Sequence, residues 1–137
     1  VKIGSLKNKI EDCIEFASLF LNKMYNFKNS EVLFKPTKAS SRPFRSRENE
    51  FISYFIGYNK VSDEDKGFAL EPWKDIHFDK FDFMVLENII ISMGNYFFTN
   101  YDGEKTKVEY SFGYTLDRIE DELKIIFHHS SVPYNID

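Results

Sequence analysis

Cysteine, histidine and excess positive charge are all scarce in this chain of 137 residues, and each scarcity removes a class of chemistry. The one cysteine, Cys13, cannot form an internal disulfide, a Cys-x-x-Cys pair or a zinc ribbon. Its apolar, helix-spaced neighbours point to a buried structural thiol. The three histidines are His77, His128 and His129. Adjacent side chains on a strand point to opposite faces, so His128 and His129 cannot both ligate one metal without a bulge. That excludes a three-histidine zinc site, and a single cysteine excludes a two-cysteine one. Carboxylates are plentiful at 22 Asp plus Glu, but none falls at HExxH or EF-hand spacing. No glycine-rich phosphate loop and no G-x-S-x-G elbow is present, and Ser130 and Ser131 lack the flanking glycines of a nucleophile turn. The metal assignment is therefore none, and no cofactor is expected.

Lys plus Arg number 18, for a net charge of -4, which argues against a nucleic-acid partner because phosphate neutralisation needs a basic surface. No apolar run approaches the ~18 residues of a membrane span, so no membrane partner is expected either. There is no internal repeat. The Ser-, Arg- and Pro-rich stretch at residues 38–45 is too short to divide domains, so residues 1–137 read as one domain. A presequence removed before Val1 would fit export to a periplasm or a plastid, and the residues do not choose between them.

Aromatic side chains are what the chain has in excess: 15 Phe, 8 Tyr and 1 Trp, or 18% of residues. Each ring can bury ~150–250 Å², enough together for a large core or an apolar pocket. Residues 2 to 25 read as one amphipathic helix, with Ile3, Leu6, Ile10, Cys13, Ala17, Phe20 and Met24 spaced by three and four. Residues 31–35 are a short strand stopped by Pro36. Ser46 is a candidate cap for a second helix over residues 47–57, where Phe51, Tyr54 and Phe55 share a face and Gly57 marks the end. Strands follow at residues 67–81, 88–100, 106–116 and 123–131, with a hairpin signal at Asp102-Gly103. In the third of these, Val108, Tyr110, Phe112 and Tyr114 lie on one face, with Glu109, Ser111 and Gly113 on the other. Helices first and an antiparallel meander afterwards predict an α+β fold, a cone-shaped curved sheet wrapped around the long N-terminal helix. Such a cone holds ligands where the helix leaves its concave face unfilled.

The densest polar group is His128-His129-Ser130-Ser131 at the end of the last strand. A histidine and a serine two apart share a face, either His128 with Ser130 or His129 with Ser131. Strict alternation puts Ile125, Phe127, His129 and Ser131 on the more apolar face, which favours that pair for the interior. An imidazole beside a hydroxyl can orient water or take its proton; the plain alternative is a strand end bonded to backbone and solvent. Thr37 is a strand-end hydroxyl, Tyr54 lies on the apolar helix face, and Tyr96 and Phe98 alternate with Asn95 and Phe97. Each of these is a pocket candidate or simple packing. Arg42 and Arg45 are either anion ligands or solvated loop charges.

Six motifs recur in one order: Phe34-Lys35-Pro36-Thr37; Ser53-Tyr54-Phe55-Ile56-Gly57; Gly67-Phe68-Ala69-Leu70-Glu71-Pro72-Trp73; Met93-Gly94-Asn95-Tyr96-Phe97-Phe98; Glu109-Tyr110-Ser111-Phe112-Gly113-Tyr114; and His128-His129-Ser130-Ser131-Val132-Pro133. This ordered set resembles the iota-class carbonic anhydrases. That class is related to the calcium/calmodulin kinase association domain and to SnoaL-like cone folds. The resemblance implies a lyase that reversibly hydrates carbon dioxide to bicarbonate, and a homodimer. Some members of the class work without metal and others with manganese or zinc; the scarcity of ligands here favours the metal-free form.

Carried over by motif, the resemblance implies Thr37, Tyr54, His128 and Ser130 as catalytic residues. It adds His129, Ser131 and Tyr96 as substrate-binding residues. Motif position favours His128 and Ser130 for the pocket, against the alternation argument. One departure stands out: Arg42, Arg45 and Arg47 crowd the loop between Thr37 and Tyr54, where the class is less basic. The competing reading is a non-catalytic ligand-binding or oligomerisation module on the same cone. A SnoaL-type isomerase would need a carboxylate base on an apolar face, for which only Glu109 is a candidate.

Overall fold

The computed structural model describes residues 2–135, with side chains from residue 9 onward, so Ile3 and Leu6 lie outside the described side chains. The order is α1 (Lys2–Met24), β1 (Leu33–Lys35), α2 (Glu48–Ile56), a 3-10 turn (Phe68–Leu70), β2 (Trp73–Leu86), β3 (Ile89–Asn100), β4 (Lys105–Asp117) and β5 (Glu122–Ser131). One sheet runs β1-β5-β4-β3-β2. β2 to β5 form an antiparallel meander, and β1 joins β5 in parallel.

The boundaries differ from the sequence reading in two places. The α2 helix starts after Arg47 rather than after Ser46. Its first turn is closed by the Glu50 carboxylate, which accepts the backbone N–H groups of Ser46 and Arg47 at 3.3 and 3.2 Å. An acidic group there also suits the positive end of the helix dipole. The strand expected over residues 67–81 is a 3-10 turn followed by a strand from Trp73 to Leu86. Gly67 takes φ 80° and Pro72 lacks an N–H, so the ladder cannot start before Trp73.

Two features shape the sheet into a cone. At Gly94 the β2 backbone lies almost on top of β3: a Cβ there would sit 2.2 Å from the Lys80 carbonyl oxygen and 2.8 Å from Phe81 Cα. Only glycine allows that approach, and the register shift between Phe78 and Lys80 falls at the same point. On β5, Gly113 pairs with Phe127 but Tyr114 pairs with Ile125, which leaves Ile126 as an extra residue. This bulge breaks the alternation, so Ile125 and His128 face the same side.

The end of α1 is stitched to β5. Asn26 N–H donates to the Ile125 carbonyl at 3.0 Å, and Tyr25 bridges Ile125. The buried Lys124 ammonium donates to the carbonyls of Asn22 (3.2 Å) and Lys23 (2.8 Å) at the negative end of the helix dipole. One core cluster joins Leu21, Tyr25, Val32, Phe34, Phe51, Tyr54 and Ile125; a second joins Tyr96, Phe98, Val108 and Tyr110, and Phe68 and Phe112 touch both.

The loop around α2 is pinned by a buried ion pair. Arg45 donates from both terminal nitrogens to Asp65, at 2.6 and 2.8 Å, and the Ser53 hydroxyl donates to the same carboxylate at 2.5 Å. Arg45 is therefore neither a solvated charge nor an anion ligand. The exposed Arg42 lies 3.1 Å from the buried Glu50 carboxylate. Arg42 and Arg45 thus brace the loop, and neither is among the residues that line the cavity.

Candidate functional site

Between α1, α2 and the concave face of the sheet lies a half-open cavity of about 500 Å³. Its walls are apolar: Phe16, Ala17 and Phe20 of α1, Phe55 and Ile56 of α2, and Leu70 of the 3-10 turn. Cys13, expected to be a buried thiol, is half-buried and lines this wall. The polar groups gather at the floor: Thr37, Tyr54, Tyr96, His128 and Ser130. No Asp or Glu is among the lining residues, and Glu109 lies on the other face of the sheet.

Each floor residue has a structural reason to be there. Pro36 ends β1 beside β5, so the chain turns and presents Thr37 to the cavity. Tyr54 lies on the buried face of α2, stacked on Phe68 at 5.5 Å and with the Arg45 guanidinium 5.7 Å from its ring. Its hydroxyl accepts the Lys38 N–H at 3.2 Å, and the Thr37 side chain lines the cavity with it. Tyr96, Ser130 and His128 come from the concave faces of β3 and β5. His128 is held between the rings of Phe112 (4.3 Å) and Phe34 (4.8 Å).

The imidazole is bonded at both nitrogens. Nδ1 is 2.7 Å from the Tyr25 hydroxyl, and Nε2 is 2.8 Å from the Ser130 hydroxyl. The Ser130 hydroxyl is in turn 3.3 Å from that of Tyr96. Burial pushes His128 down to about 3, with nearby His129 as a lesser cause. Burial pushes Tyr54 up to about 12, partly offset by the Lys38 N–H, and raises Tyr25 and Tyr96 in the same direction. The floor is thus a set of neutral hydroxyls around a neutral imidazole at physiological pH.

The structure brings Thr37, Tyr54, Tyr96, His128 and Ser130 together. It does not bring His129 and Ser131 to them. These two line a separate groove of about 470 Å³ on the opposite face, beside Asn95, Lys107 and Glu109. The face that strict alternation favoured is the outer one, because the bulge at Ile126 resets the pleat before the His-Ser run. Among the described residues, no three His, Cys, Asp or Glu side chains converge as metal ligands would. Sequence reasoning missed Tyr25. It closes the first helix read from the sequence, one residue past the apolar stripe, and nothing local signals a partner 103 positions away.

Fold and floor define an α+β cone with a neutral hydroxyl–imidazole site at the base of an apolar funnel. The chain belongs to the metal-independent carbonic anhydrase family, whose model matches residues 1–132. A metal-independent carbonic anhydrase of Nostoc sp. is 36% identical over 119 residues, which are 86% of this chain and 58% of that protein. The chain therefore spans under two thirds of that relative. The crystal structure of a cyanobacterial iota-carbonic anhydrase complexed with bicarbonate is similar with a TM-score of 0.83 and 33% identity, over 92% of this chain and 77% of that one. A calcium/calmodulin-dependent protein kinase II association domain from Xanthomonas campestris shares the fold at a TM-score of 0.64 and 16% identity, over 98% and 88% of the two chains.

Proposed function

We propose that this chain catalyses the reversible hydration of carbon dioxide to bicarbonate without an obligatory metal, as an iota-class carbonic anhydrase. The observation that carries the reading is the convergence of Thr37, Tyr54 and Ser130 hydroxyls at the floor of an apolar cavity, in a member of that family. The apolar walls suit carbon dioxide, and the hydroxyls suit the charge that develops when water adds to it. Tyr54 already accepts the Lys38 N–H, so its own proton is available to a carboxylate oxygen. Thr37 and Ser130 supply further donors, and Tyr96 steadies Ser130.

Fixed donors in a water-poor site stabilise the transition state without reorganising, and positioning water against the carbon supplies much of the rest. His128, pushed down to about 3, is too weak a base to store the proton near neutrality. In this reading it orients Ser130, and the proton leaves with solvent at the half-open mouth. His129 and Ser131 lie on the outer face and take no part in this reading.

Stopped-flow carbon dioxide hydration with a chelator present tests the proposal. A rate above buffer at micromolar protein is expected. No such rate would overturn the activity, and activity lost to chelator but restored by metal would overturn the metal-free part alone.

We also propose a homodimer. Edge strand β2 exposes Phe81, Phe83 and Val85, alternate residues on one face, each at least 60% accessible, an apolar patch of the kind that marks an interaction surface. Light scattering at the expected monomer mass across micromolar concentrations would overturn this.

A further inference from the structure

Among the buried polar groups that the proposed mechanism leaves unused, Tyr25 has the most defined geometry. Its ring is 4% exposed, and its hydroxyl has one partner, His128 Nδ1 at 2.7 Å. The phenol sits at the end of α1, fixed by the bond from Asn26 N–H to the Ile125 carbonyl and packed edge-on against Phe51 at 5.0 Å. Tyr25 and His128 both line the cavity, and the Tyr25 hydroxyl finds no other protein partner among the described residues.

We propose that Tyr25 is a positioning residue that locks His128 in the Nε2–H tautomer, so that Ser130 offers its proton to the cavity. The argument follows from counting donors. A neutral imidazole has one N–H and one bare nitrogen. If Nδ1 carried the hydrogen, it would donate to the Tyr25 oxygen, and the phenol hydrogen would be left with no protein acceptor among the described residues. With the phenol donating to Nδ1, every hydrogen is used. Nε2–H then donates to the Ser130 oxygen at 2.8 Å. The serine hydrogen cannot point back at the imidazole, so it turns toward Tyr96 or the cavity. The chain Tyr25 to His128 to Ser130 therefore runs one way and ends in a donor aimed at an anion. In the opposite tautomer Ser130 would donate to Nε2 and present lone pairs to the cavity, where a carboxylate would be repelled.

This inference rests on the carbonic anhydrase reading for its catalytic consequence but not for its tautomer. Proton–nitrogen correlation spectra of the imidazole separate the two. In the unaltered protein at neutral pH, His128 should show the Nε2–H tautomer alone. Tyr25→Phe keeps the ring and should give a mixture of tautomers. It should lower kcat/KM for bicarbonate dehydration on the order of tenfold, the size of one hydrogen bond to a charged group. In a His128→Gln background, Tyr25→Phe should cost nothing further, because its effect passes through the imidazole.

A Nδ1–H tautomer in the unaltered protein, or an unchanged tautomer in Tyr25→Phe, would overturn the lock. Additive losses in the double variant would reduce Tyr25 to packing. A tautomer shift in a protein with no hydration activity would uphold the lock and sink the carbonic anhydrase reading.

Discussion

Two His–Ser pairs interleave on β5, identical in composition and offset by one residue, and they occupy different environments. His128 and Ser130 face the apolar cone; Ser130 is 2% exposed and the imidazole is gripped by two phenyl rings. His129 is exposed and, with Ser131, lines a groove among Lys107, Glu109 and Asn95. The residue types do not distinguish the pairs. The inner pair differs in losing water: burial strips the imidazole of its charge and leaves hydrogen bonding as its only role. The outer pair keeps solvent, so its groups have no fixed direction to offer a substrate.

The comparison depends on the bend that makes one face concave, and breaking that bend should have the largest effect. Gly94→Val places side-chain atoms into the backbone of Lys80 and Phe81, which cannot move without undoing the β2–β3 register. A stability loss of ~3 kcal/mol or more is expected, with loss of hydration activity. Urea unfolding followed by circular dichroism measures it, and a change under ~1 kcal/mol would show that the bend does not need glycine.

Next comes the floor itself. Ser130→Ala, Tyr54→Phe and Thr37→Val should each lower the hydration rate about 10²-fold or more while leaving the fold intact, the usual cost of one preorganised donor. Stopped-flow rates beside thermal unfolding curves check this. Near-normal rates in both Tyr54→Phe and Thr37→Val would move the site elsewhere.

A smaller effect sharpens the electrostatic side of the contrast. The folded His128 is pushed down to about 3, while an unfolded histidine titrates near ~6.5. Below that value the unfolded chain binds a proton that the folded chain refuses, so stability falls as pH falls from about 6.5 toward 3. The slope from this one group approaches ~1.4 kcal/mol per pH unit. Urea midpoints at pH 7 and pH 5 should drop further for the unaltered protein than for His128→Gln, by up to about 2 kcal/mol. Equal drops would mean that the buried imidazole is not held neutral.

Much of this contrast was legible in the sequence, and the rest failed for local reasons. The helix of residues 2–24, the meander and the inward face of Val108, Tyr110 and Phe112 follow from spacing, although the helix turns Phe20 and Met24 of its apolar stripe to the open cavity rather than into a closed core. Ordered motifs pointed to Thr37, Tyr54 and the His-Ser run. The choice between the pairs was not readable by alternation, since one extra residue at Ile126 inverts it and no residue type announces a bulge. Arg45 looked like a loop charge because its partner Asp65 lies 20 positions on, across a loop whose path the sequence does not describe. Tyr25 read only as the end of the first helix, because its partner His128 lies 103 positions on.

The smallest expected change is also the cleanest test of the two faces. His129→Ala and Ser131→Ala alter side chains one residue from the proposed site yet on the far side of the sheet. His129 is separated from the floor by the sheet, and His128 stays neutral near pH 7 with or without it. The hydration rate of each variant should remain within about twofold of the unaltered protein, because a solvent-exposed charge across the sheet is screened. If instead these variants lose activity as Ser130→Ala does, the outer groove belongs to the reaction. A light-scattering measurement on the same samples would then separate a direct role from loss of the proposed dimer: a dimer that persists while activity falls would place chemistry on the outer face. A dimer that dissociates would mean the cone needs its partner to hold its shape.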